Sequence, residues 1–180
     1  MVNVMADSPF EAVVAAHHGE IHRYLARVTS RASDADDLSQ ETFLRAYRAF
    51  RTLPPEANVR AWLFAIATNL YKNYVRGEVR RRRAMAAASA DGMAATASGL
   101  PEGGTLFNEA SARIERAIAA LPMKQRLAFT MRKVHELEYE AIAESLECSP
   151  ESARANVFQA LRKIREKMID LAGVSMESSR

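Results

Sequence analysis

Apolar residues recur at intervals of three and four along nearly the whole chain up to Arg83, and no segment sustains the strict alternation of a half-buried strand. The pattern predicts helices and no sheet. From Ala84 to Gly104 it lapses into AMAAASADGMAATASGLPEGG, where small residues, four Gly and one Pro replace the large side chains that could anchor a core. Helical patterning resumes near Asn108 and runs to about Leu171, broken at Leu121-Pro122 and again between Glu147 and Pro150. The expected architecture is all-α: two small helical domains, residues 9–83 and 109–172, joined by a flexible linker over 84–108.

The second break carries its own restart signal. In Ser149-Pro150-Glu151 a hydroxyl can cap free backbone N–H groups, proline presets the first helical angle, and an acid meets the positive end of the helix dipole. Beyond it, Ala153, Val157, Ala160, Leu161, Ile164 and Met168 fall on one stripe, which Ile142, Ala143 and Leu146 of the preceding helix can face. Two short helices locked across a tight turn make a helix-turn-helix, whose second helix enters a major groove. Opposite the stripe lie Ser152, Ala155, Gln159 and Arg162, flanked by Arg154 and Phe158 on one side and Asn156 on the other. An ordinary helical hairpin with a solvated outer face fits the same pattern.

Two stretches of the first domain also carry candidate chemistry. In the helix predicted over Asp34–Phe50, Phe43, Tyr47 and Phe50 share a face expected in the core, with Ala46 and Leu44 alongside. Nearly opposite, Asp34, Asp37, Leu38, Glu41 and Arg45 line up, so Leu38 is expected outside the core among carboxylates, where a basic partner surface could dock. The same acids could simply complement the helix dipole, with Glu41 paired to Arg45. A second helix starts at an Asn58 cap and places Val59, Leu63, Ile66 and Leu70 on its apolar stripe. Beside that stripe runs a row from Trp62 through Asn69, Asn73, Arg76 and Arg80, provided the helix continues past Gly77. Amides, aromatic planes and arginines together suit single-stranded or melted nucleic acid.

Composition narrows the partners. The net charge is only +3, but residues 76–83 carry five Arg against one Glu, whereas 34–41 carry four acids and no base. One cysteine excludes an internal disulfide, and the turn residue Cys148 has no second thiol to pair with. No apolar run approaches a membrane span and the first residues lack a signal peptide's pattern, so a cytoplasmic location is expected. There is no phosphate loop, no HExxH and no nucleophile elbow. His18 and His22 have the spacing of a metal pair without an evident third ligand. Neither catalysis, a cofactor, a metal nor a small-molecule substrate is expected.

Taken together, DADDLSQETFLRAYRAF, VRAWLFAIATNLYKNYVRGEVRRR, LPMKQRLAF and YEAIAESLECSPESARANVFQALRKIR resemble, in this order, the extracytoplasmic-function sigma factors of bacterial RNA polymerase. The resemblance covers roughly residues 9–83 and 109–171. It implies that Asp37, Leu38, Gln40 and Glu41 contact the polymerase clamp, and that Trp62, Asn69, Asn73, Arg76 and Arg80 serve the minus-ten element, with Asn69 helping to hold a flipped base. It further implies that Arg154, Asn156, Phe158 and Gln159 face the minus-thirty-five element. Core RNA polymerase, promoter DNA and an anti-sigma factor are the implied partners. The chain departs from the family pattern at Asn156 and Gln159, where Arg is common, and in a turn reading ECSP. The rival function is a conventional helix-turn-helix regulator on duplex operator DNA.

Overall fold

The computed structural model describes residues 9–29, 31–88 and 106–177, with side chains at 9–29, 31–87 and 111–169. Residues 89–105, most of the expected linker, lie outside the described residues. The chain divides into two compact units. The first holds α1 (Pro9–Val28), α2 (Ala32–Ala49), a 3-10 turn (Phe50–Thr52) and α3 (Val59–Ala88). The second holds α4 (Leu106–Ala119), α5 (Met123–Lys133), α6 (Tyr139–Leu146) and α7 (Pro150–Glu177). Among the described residues there is no strand.

In the first unit the three helices pack against one another around Ile21, Tyr24, Leu25, Leu63 and Phe64, each almost fully buried. Removing side chains of this size from water stabilises by roughly 1.5–3 kcal/mol each. Within this core the Tyr24 hydroxyl and Thr68 Oγ1 lie 2.8 Å apart, joining α1 to α3, whereas the buried Ser39 Oγ has no hydrogen-bond partner. At the rim, Arg60 of α3 grips Glu20 of α1 with two N–H groups, while its guanidinium sits over the Phe64 ring. Asn58 caps α3 as its position suggests, its Oδ1 accepting from the Ala61 N–H at 3.0 Å.

The phase of α2 differs from the expected one. Its buried residues are Ala35, Leu38, Ser39, Thr42, Phe43 and Ala46. Leu38 therefore belongs to the core, at 8% exposure, whereas Tyr47 at 62% and Leu44 at 45% face outward. The reason is that small and hydroxyl side chains complete the buried stripe. Thr42 Oγ1 bonds back to the Leu38 carbonyl at 2.7 Å, so its hydroxyl is satisfied within the helix. Tyr47 and Phe50 instead pack edge-on against Phe10 at the start of α1. Phe64 and Tyr71 of α3 are buried as well.

In the second unit α7 is the central element, packed by α4, α5 and α6. Ala153, Val157 and Ala160 are buried against Ile142, Ala143 and Leu146, and the small side chains let the helices approach closely. Leu161, at 37% exposure, lies at the margin of that stripe. The turn between α6 and α7 is closed from both sides. Glu147 adopts the left-handed conformation (φ 53°, ψ 55°), and the Cys148 N–H reaches back to the Ala143 carbonyl at 3.0 Å. Ser149 Oγ then accepts from the Ser152 N–H at 3.2 Å, capping α7 ahead of Pro150.

Candidate nucleic-acid interface

Most carboxylates of α2 are engaged within the first unit. Asp34 accepts from the Tyr74 hydroxyl at 2.6 Å, Asp36 from the His22 ring at 2.8 Å, and Glu41 pairs with Arg45 at 2.6 Å. Asp37 and Gln40 are exposed and make no such bond among the described residues. One helical turn on, Leu44 and Tyr47 continue the face that Gln40 begins. The outward apolar element expected of Leu38 is thus supplied by Leu44 and Tyr47. Their spacing of four and seven from Gln40 was the available signal.

His22 is occupied by Asp36, and His18 lies 5.5 Å from the Phe43 ring. Among the described residues no group of three His, Cys, Asp or Glu could hold a metal ion. No described helix is long and apolar enough to cross a membrane.

Helix α3 runs unbroken through Gly77 to Ala88, past the expected boundary at Arg83, so Trp62, Asn69, Asn73, Arg76 and Arg80 share one helix. Trp62 is half-buried and the other four are exposed. At 1.5 Å rise per residue the stripe from 62 to 80 is about 27 Å long. Its polar members are ordered by neighbours on the same helix: Lys72 Nζ donates to Asn69 Oδ1 at 3.1 Å, and Arg76 Nη1 donates to Asn73 Oδ1 at 3.3 Å. Both amide oxygens are therefore held by cations, and both amide groups keep an N–H for an incoming acceptor.

In the second unit Arg154, Phe158 and Gln159 are exposed on α7, Phe158 at 66%. Asn156 differs: it is half-buried, and its Nδ2 donates to the Ser152 carbonyl at 2.8 Å, tying it to its own helix. Two supports come from elsewhere in the unit. The Tyr139 ring at the start of α6 carries the guanidinium of Arg132 and that of Arg154, each 4.8 Å from its centre. Gln125 of α5, only 9% exposed, donates from Nε2 to Gln159 Oε1 at 2.7 Å. No linear pattern signals these partners, since Gln125 and Gln159 are 34 residues apart. At the helix start, the Glu151 carboxyl is held below the usual carboxylate range by its own backbone N–H, then by the Ser149 hydroxyl and the nearby Arg154 charge.

Known families match both units. Residues 13–81 match sigma-70 region 2, and residues 111–164 match sigma-70 region 4. The ECF RNA polymerase sigma-E factor of Haemophilus influenzae is 30% identical over 165 residues, covering 88% of this chain and 87% of that protein. The ECF RNA polymerase sigma-E factor of Escherichia coli is 31% identical over 163 residues, covering 81% and 83%. In fold, the chain is similar to the sigma factor RpoE of Bartonella quintana, solved in complex with the anti-sigma factor NepR, with a TM-score of 0.67 at 21% identity, covering 88% and 96%. These likenesses separate the chain from a generic helix-turn-helix regulator. With regions 2 and 4 present in order and relatives matched over most of their length, the chain belongs to the extracytoplasmic-function sigma factors of RNA polymerase, within the sigma-70 family.

Proposed function

We propose that the two units divide promoter recognition between them, residues 9–83 serving the polymerase and the minus-ten element, 109–172 the minus-thirty-five element, and 84–108 acting as the tether. As a sigma factor the chain binds core RNA polymerase and directs promoter-specific initiation, and the family is not a class of enzymes. Asp37 and Gln40 meet the polymerase, with Glu41 at the edge of the patch and Leu38 holding α2 in register from inside. Leu44 and Tyr47 extend the contact.

On α3, Asn69 captures an extruded minus-ten base, Asn73, Arg76 and Arg80 follow the strand, and Trp62 stands at the upstream end. Extruding a base costs a few kcal/mol, so opening is driven by what the stripe gains once the base is out. On α7, Arg154, Phe158 and Gln159 face the minus-thirty-five duplex, while Asn156 supports from the flank. The observation that carries this reading is the continuous α3, which aligns two amides and two arginines on one exposed face.

The site of action is cytoplasmic, alongside the polymerase. An anti-sigma protein is the expected inhibitor, in keeping with the partner of the Bartonella protein. Transcription in vitro with purified core enzyme tests the whole reading. Specific initiation should require both this chain and the core. Tight binding of the isolated chain to a palindromic duplex, with no effect on the core, would overturn it.

A further inference from the structure

We propose that Gln125, a residue beneath the DNA-facing surface, sets which base Gln159 prefers. The inference rests on the reading of α7 given above. Gln125 Nε2 donates to Gln159 Oε1 at 2.7 Å, which occupies the accepting end of the exposed amide and leaves its NH2 group to meet DNA. A free glutamine can pair with adenine through both ends at once, accepting from N6 and donating to N7. With one lone pair of its oxygen taken and that end turned toward Gln125, Gln159 presents chiefly its NH2 donor to the groove.

The polarity of the pair follows from burial. Gln125 Oε1 is buried without a hydrogen-bond partner. Reversing both amides would let that oxygen accept from Gln159 but would strand a buried NH2 with two donors. An under-satisfied carbonyl oxygen is the more tolerable of the two. The arrangement therefore holds the Gln159 NH2 outward.

In the major groove a lone donor finds two adjacent acceptors on guanine, O6 and N7, one on thymine and one on adenine, whereas cytosine offers only its N4 donor. Gln159 accordingly favours guanine and rejects cytosine on the strand it contacts. The test uses holoenzyme assembled from core polymerase and the full chain, with promoters randomised across the minus-thirty-five element and transcripts counted by sequencing. Wild type should favour guanine over cytosine at one position by roughly tenfold, the discrimination of a single good side-chain–base pair. Gln159→Ala should flatten that position.

Gln125→Met keeps the shape but removes the donor, so preference there should move toward adenine. Gln125→Glu places an acceptor under Gln159, turns its oxygen outward and should favour adenine or cytosine, whose exocyclic amines donate. Other positions keep their profiles in both variants. If both variants retain the wild-type profile at the position that Gln159→Ala flattens, or lose transcription evenly at all positions, Gln125 has no role in base choice. An unchanged Gln159→Ala profile at every position would instead remove α7's reading itself, and this inference with it.

Discussion

The two units support the surfaces proposed for recognition in opposite ways. On α3 the exposed amides are steadied by cations three residues away on the same helix, Lys72 for Asn69 and Arg76 for Asn73. On α7 the outward groups are steadied from other elements, Gln159 by α5 and Arg154 by the first residue of α6. A surface built along one helix needs only that helix to be continuous. One assembled from three helices needs their packing, so its chemistry is coupled to the stability of its unit.

Leu38 gives the largest expected effect, because it tests where the docking face ends and the core begins. Leu38→Ala should destabilise the first unit by about 2–5 kcal/mol in urea unfolding, the cost of a buried Leu-to-Ala cavity. A change under about 0.5 kcal/mol, the size usual for surface substitutions, would return Leu38 to the surface. Next is Asn69→Ala, which should leave core binding intact but reduce strand opening at least tenfold, about 1.4 kcal/mol. Permanganate reactivity of the opened bases reports it, and normal reactivity would take Asn69 out of the site.

A matched pair of glycine exchanges sharpens the contrast further. Glu147→Gly should stabilise the second unit by about 1 kcal/mol, since it relieves a left-handed residue bearing a Cβ. Gly77→Ala should stabilise α3 by about 0.5–1 kcal/mol, because a Cβ there meets nothing within 4 Å. Thermal unfolding of each variant checks both signs. The smallest effect concerns Tyr74, whose hydroxyl is pushed from 10.0 up to about 12 by burial, then by its bond to Asp34 and that residue's charge. The folded state favours the neutral phenol, so this contribution is whole below pH 10 and is lost as pH rises through 12. In a spectrophotometric titration, Tyr74→Phe should remove one late-ionising phenol.

Features encoded by adjacent residues were legible in the sequence. The Asn58 cap and the Ser149-Pro150 restart depend on side chains one to three positions away, and both occur where the pattern placed them. The exposed row on α3 was legible for the same reason, once Gly77 proved compatible with a continuous helix. The phase of α2 was not, because Ser39 and Thr42 are buried while two large apolar residues, Leu44 and Tyr47, are outside. The supports of α7 were invisible, since Gln125 and Tyr139 meet their partners only after α5, α6 and α7 have packed.

Glu147 gives the joint between α6 and α7 a particular character. A glycine hinge would hold its bend at no steric cost and could flex without penalty, but a glutamate in that conformation is retained only while the bonds on either side persist. Fraying of either helix end relaxes the bend, and the relaxed bend in turn loosens the other helix. The set of this joint is therefore tied to the integrity of both helix ends at once.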